Sequence, residues 1–355
     1  MSRLTQSLAL AVVLIAPFVN GLMPASARAA APMPGLPTAI FSTVLGTPSA
    51  AVPGVEDARF TSLYAPSGSP NGVHWVLRAE YEVEGVTVDA LVTGRGVASA
   101  RRVALTSGQS VAAGGVTYHF VSFRTWTGIN DQGEIAFSGA TEGPAASDDV
   151  VMRCSEGGAE LLAREGLPAP GQPVGIGFGA TNDAIALLND GAVTFRSAGL
   201  TGAASQQVLY RSPALDDAVI VAQTDLTTTL PLGQWVVPTQ TLDYIYEGSF
   251  RMDAAGEHYI YYGNLNGSYA TDDIIVVDGR VAAQEGALLP RSPFTSPVAA
   301  LHSVGLAAPS ISPANGHTMF RGTNADGTSW IVRDRAVVAT NGAPIVAGAS
   351  EVWGG

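Results

Sequence analysis

The sequence predicts an all-β fold, a β-propeller of about five or six four-stranded blades built from repeats of about 60 residues. A glycine closely preceded by Asn or Asp opens a short apolar segment at five places, Gly72, Gly133, Gly191, Gly256 and Gly316. The segments behind these glycines align without gaps, as GVHWVLRA, GEIAFSGA, GAVTFRSA, GEHYIYYG and GHTMFRGT. No segment has a sustained apolar period of the helical kind, so the sequence favours strands throughout.

Each repeat contains four candidate strands. The strand behind each turn glycine keeps one large apolar side chain at a shared position, namely Val76, Phe137, Phe195, Ile260 and Phe320. Two further apolar runs follow it, and a candidate first strand precedes it at 60–64, 120–124, 175–179, 242–246 and 302–306. Short strands separated by Gly, Pro, Asn and Asp are typical of an all-β array. A β-sandwich pair or an open solenoid is the alternative architecture.

The first residues have the pattern of a secretory signal peptide, which we place at 1–31. Arg3 precedes an apolar run at 8–16, and small residues at 25–31 provide cleavage sites. The run is much shorter than the ~20 residues that span a bilayer, so no membrane span is expected in the mature chain. The protein is therefore expected to be exported, to an extracellular, cell-surface or periplasmic location.

The rest of the chain, 32–355, is predicted to be a single repeat domain. The repeats lie near 55–113, 114–171, 172–232, 233–290 and 291–350, and a half-repeat precedes them at 39–54. That half-repeat matches the last strand of a unit and its turn. Two interpretations stay open, a ring of five blades with a spare strand or a longer protein with a sixth blade.

Composition excludes several classes of function. The chain contains no lysine, so Schiff-base and phosphate-loop chemistry that depends on lysine is excluded. The net charge of −12 repels phosphate backbones, which makes nucleic acid an unfavourable partner. Cys154 is the single cysteine, so no intramolecular disulfide can form, and we expect it to be a small buried residue.

Two phrases carry a resemblance to a known group of proteins. They are the turn and strand at 129–137, INDQGEIAF, and the run at 164–171, REGLPAPG. Together with the signal peptide, they resemble uncharacterised exported bacterial repeat proteins of β-propeller-like architecture. The resemblance covers 39–350 and implies an architecture, but no activity comes with it.

The fourth repeat differs most from the others and provides the candidate ligand-binding residues. It is rich in aromatic side chains, and the candidates are Trp235, Tyr244, Tyr246, Tyr259 and Tyr261. Because strand side chains alternate between faces, Tyr259 and Tyr261 are expected to face away from Ile260 and to form an exposed strip. Such a strip suits stacking against sugar rings, so a polysaccharide or a cell-surface protein is the expected partner. The alternative is that these tyrosines pack between neighbouring blades.

Carboxylates on the candidate first strands provide the enzymatic alternative. Asp243 and Glu247 in the fourth repeat, with Asp183 in the third, are candidate catalytic acids for a glycoside hydrolase or lyase. Motifs for a serine nucleophile, a phosphate loop or a zinc protease are absent from the sequence. The sequence therefore favours a non-enzymatic scaffold or binding protein, with a carbohydrate-active propeller enzyme as the alternative.

No cofactor or metal site is predicted. His74 and His258 occupy equivalent positions in different repeats and are not expected to converge on a metal. Acid pairs occur at 148–149, 216–217 and 272–273. The two that precede a second run, 148–149 and 272–273, are expected to be strand-entry turns with solvated carboxylates. Calcium is the one ion considered, at these pairs or at the loop 324–328, although that loop lacks a complete ligand set.

Overall fold

The computed structural model describes residues 41–43, 50–96, 99–224, 240–301, 309–344 and 351–353. Within these residues the chain is all-β, with five antiparallel sheets and no α-helix. The described segments thus contain no helix of the length and apolarity needed to cross a membrane. The predicted signal peptide at 1–31 lies outside the described residues.

The strands are grouped into sheets in chain order. The first sheet contains β1 (Arg59–Leu63), β2 (Ser67–Gly68), β3 (His74–Val83), β4 (Val86–Arg95) and β5 (Ser99–Thr106). The second contains β6 (Ser110–Ala113), β7 (Val116–Ile129), β8 (Ile135–Thr141), β9 (Asp149–Ser155) and β10 (Gly158–Arg164). The third contains β11 (Thr181–Leu187), β12 (Val193–Leu200), β13 (Ala203–Ser212) and β14 (Val219–Gln223). The fourth contains β15 (Leu242–Ile245), β16 (Arg251–Met252), β17 (Tyr259–Leu265), β18 (Asp273–Val277) and β19 (Arg280–Gln284). The fifth contains β20 (Val298–Leu301), β21 (Ser310–Ile311), β22 (Thr318–Asn324), β23 (Ser329–Arg333) and β24 (Ala336–Thr340).

Each sheet is an antiparallel meander of four main strands. The orders are β1-β3-β4-β5, β7-β8-β9-β10, β11-β12-β13-β14, β15-β17-β18-β19 and β20-β22-β23-β24. We call β1, β7, β11, β15 and β20 the first strands; β6 pairs with β7, and the short strands β2, β16 and β21 pair with the second main strand of their sheets. Four-stranded meanders that follow one another along the chain are the blades of a β-propeller. The predicted fold class is confirmed, and the number of blades stays a prediction.

The hydrophobic cores lie between consecutive sheets, because each sheet buries both of its faces. On β8, Ala136 belongs to the core shared with the third sheet, and the next residue, Phe137, belongs to the core shared with the first. On β17, Ile260 faces the fifth sheet and Tyr261 faces the third. The five predicted side chains are all buried, namely Val76, Phe137, Phe195, Ile260 and Phe320. They do not share one structural position, because the three phenylalanines face the preceding sheet, whereas Val76 and Ile260 face the following one.

The turn glycines adopt one conformation in all five repeats. Their φ angles are 71°, 81°, 85°, 73° and 66° along the chain, in the left-handed region that glycine adopts without steric cost. Successive turns are also joined by hydrogen bonds. Asn71 donates its backbone N–H to Asp131 at 2.8 Å, Asp131 to Asn189 at 3.1 Å, and Asn189 to the carbonyl of Ala254 at 3.1 Å. The repeated Asn/Asp-Gly signal therefore fixes both the turn and the contact between neighbouring sheets.

One predicted first strand differs from the structure, and a second lies outside the described residues. Residues 175–179 form no strand; Gly177 makes isolated bridges to Pro168 and Thr201, and the first strand of the third sheet is β11, several residues later. Three glycines at 175–179 weaken strand formation, since glycine loses the most backbone entropy when it is ordered. The predicted strand at 302–306 lies outside the described residues, directly after β20.

Both ends of the described chain pack on the terminal sheets. Phe41, within the predicted half-repeat 39–54, contacts Phe60 and Trp75 edge-on, with ring centroids 4.9 and 5.5 Å apart. At the other end, Gly342 donates its N–H to the carbonyl of Trp353 at 3.0 Å. Phe41 therefore adds to the core on the outer face of the first sheet, and 351–353 pair with the chain that follows β24.

Candidate functional site

The second, third and fourth sheets each contribute residues to one polar cluster. Its centre is the ion pair of Asp183 on β11 and Arg196 on β12, which face each other in the strand register. Nε of Arg196 lies 2.8 Å from Oδ1 of Asp183, and Nη2 lies 2.5 Å from Oδ2. Both residues are only 3% exposed. A planar guanidinium bound to both carboxylate oxygens is the strongest form of this contact.

A β-bulge places Asp183 in this position. The register between β11 and β12 shifts between Asp183 and Ala186, and Ala184 has a positive φ of 54°. Bulges bend a strand locally and redirect its side chains. The sequence gives no clear signal of this bulge, because Asn182-Asp183-Ala184-Ile185 contains no glycine.

Arg196 also joins the third sheet to the fourth. Its Nη1 donates to the carbonyl of Ile245 on β15 at 2.6 Å and to Oε1 of Gln207 at 3.2 Å. The same Gln207 oxygen accepts the backbone N–H of Ile245 at 2.9 Å. The Tyr244 ring lies 5.9 Å from the guanidinium carbon. One arginine therefore holds the first strand of the neighbouring sheet in place.

The surroundings of Asp183 act on its protonation in opposite directions. Burial is the largest influence and raises the pKa of Asp183, whereas the hydrogen bonds and charge of Arg196 lower it. The charge of Glu247 raises the pKa further, and a hydrogen bond from the backbone of Gly248 lowers it. Both carboxylate oxygens are occupied by Arg196, so Asp183 serves as a structural anchor of the cluster.

A second arginine, Arg251 on β16, completes the cluster beside Trp126 of β7. Its guanidinium carbon lies 5.2 Å from the Trp126 ring, and its Nη1 donates to the carbonyl of Phe250 at 2.7 Å. Burial lowers the pKa of Arg251, and the charge of Asp183 opposes this effect. Gly248 is required here, because a Cβ at this residue would lie 2.0 Å from Cζ2 of Trp126.

We call Asp183, Arg196, Gln207, Arg251 and Trp126 the Asp183 cluster. Of the predicted catalytic acids, Asp183 lies in it, and Glu247 is near enough for its charge to affect the Asp183 pKa. Asp243 is an exposed residue of β15, as Glu247 is of the following turn. The structure therefore shows one anchored carboxylate with two exposed ones on the neighbouring sheet.

The predicted aromatic strip is wrong in one respect. Tyr261 is fully buried in the core between the third and fourth sheets, and Tyr259 is half-buried, with its ring stacked on that of Tyr261 at 6.4 Å. The face opposite to Ile260 is not solvent, because the third sheet covers it. Burial raises the pKa of Tyr259 and of Tyr261.

The other aromatic candidates lie on or beside β15. Tyr244 is 40% exposed, and its ring meets that of Tyr246 edge-on, with centroids 5.2 Å apart. Tyr246 is half-buried and lies 4.4 Å from the Tyr262 ring. Trp235 lies outside the described residues. Tyr244 is therefore the candidate with the most accessible ring.

Sequence reasoning missed a polar position that the repeats share. In each sheet, the second main strand has a polar residue near its middle, and these residues are Arg78, Ser138, Arg196, Tyr262 and Arg321. Asp89 accepts the N–H of Phe123 at 2.8 Å, as Gln207 accepts that of Ile245. Oδ2 of Asp149 accepts a hydrogen bond from Nη2 of Arg124 at 2.5 Å. Asp89 and Gln207 therefore join neighbouring sheets, whereas the Arg124–Asp149 pair lies within the second sheet.

The expectation that the acid pairs at 148–149 and 272–273 are solvated is wrong for one residue of each pair. Asp149 is 2% exposed and Asp272 is 5% exposed, whereas Asp216 and Asp217 are exposed. Among the residues that the structure describes, no three His, Cys, Asp or Glu side chains could hold a metal ion together. In the loop 324–328, Asp326 accepts the N–H of Thr328 at 2.9 Å, as in an ordinary turn.

His74 and His258 have a packing role in common. A Cβ on the next turn glycine, Gly133 for His74 and Gly316 for His258, would lie 3.1 and 2.5 Å from the imidazole ring. Each histidine therefore covers the turn of the following sheet. Cys154 is partly buried against the core shared by the first two sheets, and burial raises the pKa of its thiol to about 12.

Comparison with known proteins assigns the chain to a family. A family model of unknown function, DUF7453, matches residues 79–277, more than half of the chain. The chain belongs to this family. No curated protein matches the DUF7453 chain.

Several solved structures are similar to this DUF7453 chain. An oligogalacturonate lyase in complex with manganese is 10% identical over 79% of this chain and 66% of its own, with a TM-score of 0.40. The β-propeller domain of the Trilobed protease from Pyrococcus furiosus is 12% identical over 79% of this chain and 84% of its own, with a TM-score of 0.37. A prolyl endopeptidase is 11% identical over 76% of this chain and 33% of its own, with a TM-score of 0.39. The chain thus spans just under two thirds of the lyase and one third of the endopeptidase.

Proposed function

We propose that the protein is an exported, non-enzymatic β-propeller that binds a polysaccharide beside the Asp183 cluster. The observation that carries the proposal is the state of Asp183, whose two oxygens are both bound by a buried arginine. A glycoside hydrolase needs two carboxyl groups across the scissile bond, one of which transfers a proton. Arg196 donates to both oxygens of Asp183, which favours the ionised carboxylate over the protonated form that a proton donor needs. The signal peptide pattern at 1–31 supports export.

Tyr244 is the proposed contact residue. Its ring is 40% exposed, is held by Tyr246, and lies over the Arg196 guanidinium, which is itself fixed by Asp183 and Gln207. An aromatic ring combines a flat apolar face with a polar edge, which suits stacking on a sugar ring. The exposed carboxylates Asp243 and Glu247 lie beside it on the same sheet. They can accept hydrogen bonds from sugar hydroxyls without taking part in chemistry.

Retention on insoluble glycans tests this function. The purified protein is incubated with cellulose, chitin and a cell-envelope fraction, and the bound fraction is measured. The variant Tyr244→Ala is expected to weaken retention about fivefold to tenfold, since a stacked ring contributes on the order of 1 kcal/mol beyond its buried area. Tyr269→Ala is the matched control, because it removes a 92% exposed tyrosine from the turn between β17 and β18 of the same sheet.

The same samples separate binding from catalysis. Release of reducing ends from the glycans is measured for the wild type and for Glu247→Gln and Asp243→Asn. We expect no release from any of them. Release by the wild type that Glu247→Gln abolishes would establish the enzymatic alternative. Equal retention of the wild type and Tyr244→Ala would refute the proposed contact, and retention only by a protease-sensitive envelope component would identify a protein partner instead.

A further inference from the structure

A cavity of about 230 Å³ lies between the fourth and fifth sheets, away from the Asp183 cluster. Its apolar wall includes Leu289, Phe320 and Val332. Three arginines also line it, Arg280, Arg291 and Arg335. All three are exposed, whereas the apolar residues are buried, so the guanidinium groups lie on the solvent side.

The cavity exists because the fifth sheet lacks a tyrosine that the third sheet has. In the third sheet Phe195 pairs with Tyr210 across the strands, and in the fifth sheet the equivalent Phe320 pairs with Val332. Tyr210 is fully buried, and its hydroxyl donates to the carbonyl of Pro170 at 3.3 Å, which closes the space between the second and third sheets. Val332, at the position equivalent to Tyr210, leaves the corresponding space between the fourth and fifth sheets open.

Arg291 replaces a glycine of the repeat. In the second repeat, the backbone N–H of Gln172 donates to the carbonyl of Ala169 at 3.1 Å, and Gly171 in this turn has a φ of 75°. The equivalent bond in the fourth repeat runs from Ser292 to Leu289 at 3.3 Å, and Arg291 has a φ of 57°. A residue other than glycine is strained in this left-handed conformation.

Arg335 replaces a second glycine. The hairpin between β18 and β19 turns through Asp278 and Gly279, with φ of 49° and 73°. The equivalent hairpin between β23 and β24 turns through Asp334 and Arg335, with φ of 49° and 74°. Two-residue hairpins with positive φ at both positions strongly prefer Asp-Gly. Backbone strain of this kind is concentrated at functional sites, and here both strained arginines line one cavity.

The carboxylates next to these arginines already have other partners. Asp278 accepts the N–H of Tyr259 at 2.9 Å and lies 3.1 Å from Nδ1 of His258. Asp334 accepts the N–H of Thr318 at 2.8 Å and lies 2.6 Å from Nδ1 of His317. Within the described residues, Arg280, Arg291 and Arg335 form no ion pair with a carboxylate. Three unpaired guanidinium groups thus surround an apolar cavity in a chain of net charge −12.

We propose that this cavity binds a small organic anion, with its acidic group on the three arginines and its apolar body between the fourth and fifth sheets. The guanidinium group binds carboxylates through a planar pair of hydrogen bonds, and it is less strongly hydrated than an ammonium group. The apolar wall provides the remaining free energy, because burial of the ligand body removes apolar surface from water. The site is distinct from the proposed glycan contact at Tyr244.

Titration with 4-phenylbutyrate followed by NMR or calorimetry tests the proposal. The neutral analogue 4-phenylbutanol and the small anion acetate are measured in parallel. We expect the wild type to bind 4-phenylbutyrate at least tenfold more tightly than either. The double variant R291G/R335G restores the glycines of the other repeats and is expected to weaken binding at least tenfold, while its melting temperature stays equal or rises. Arg102→Gln, which removes an exposed arginine of the first sheet, is the charge control and should bind as the wild type does.

A second variant tests the cavity itself. Val332→Tyr introduces the side chain that closes the equivalent space in the third sheet, and we expect it to abolish binding. Equal affinity for 4-phenylbutyrate and 4-phenylbutanol would overturn the proposal, as would no measurable binding by the wild type. Unchanged binding by R291G/R335G, or a melting temperature of that variant well below the wild type, would show that the arginines serve packing and would also overturn it.

Discussion

Replacement of Asp183 by alanine should destabilise the fold by about 3 kcal/mol, because it leaves a buried guanidinium without its carboxylate. Asp183 and Arg196 are each 3% exposed and make contacts of 2.8 and 2.5 Å. Removal of one partner of a buried pair costs about 3–5 kcal/mol. Arg196 keeps its bonds to the Ile245 carbonyl and Gln207, so the lower end of that range applies.

Thermal and urea unfolding measure this loss. At roughly 2 °C per kcal/mol for a chain of this size, Asp183→Ala should melt about 6 °C below the wild type. Asp243→Ala is the matched control on the next first strand, where the carboxylate is exposed, and we expect it to change stability by less than about 0.5 kcal/mol. The double variant D183L/R196M should recover part of the loss, since it leaves no unpaired charge. A loss below about 1 kcal/mol for Asp183→Ala would refute the structural role of the pair.

Two further predictions concern the same region and the fourth sheet. Gly248→Ala should destabilise by at least about 2 kcal/mol, because its Cβ would overlap Trp126 at a φ of 65°, whereas Gly72→Ala, with nothing within 4 Å, should cost only about 1 kcal/mol. Equal losses of unfolding free energy in the two variants, measured by urea unfolding, would contradict the close contact of Gly248 with Trp126. Burial, and then the charge of Asp273, raises the pKa of Glu285 from 4.5 to about 7. The folded state therefore holds this proton more strongly than the unfolded state, so its contribution to stability falls as pH rises from about 4.5 to 7. Melting temperatures at pH 5.0 and 7.5 should differ less in Glu285→Gln than in the wild type, and an unchanged difference would argue against this titration.

Parts of the candidate site could be predicted from the sequence, and the missing parts depend on long-range contacts. Asp183 and Glu247 stand out as acids that break the repeat. The structure places Asp183 on Arg196, and Glu247 close enough for its charge to act on Asp183. The role of Arg196 could not be read from its own segment, because its partners come from β11, β13 and the first strand of the next sheet. The error at Tyr261 has a related cause: strand alternation separates two faces, but it does not say whether water or another sheet covers each one.

The sequence by itself determined the architecture. The Asn/Asp-Gly turns require positive φ, and the spacing between them fixes four short strands per unit. The meander and the buried position shared by Phe137, Phe195 and Phe320 therefore follow from local chemistry. Only the tertiary structure decided which polar groups lose their water. Asp149 and Asp183 are buried because neighbouring sheets close over them, and the cavity beside Val332 is open because no tyrosine fills it. Such outcomes depend on residues brought together from different repeats, whose contacts no local pattern records.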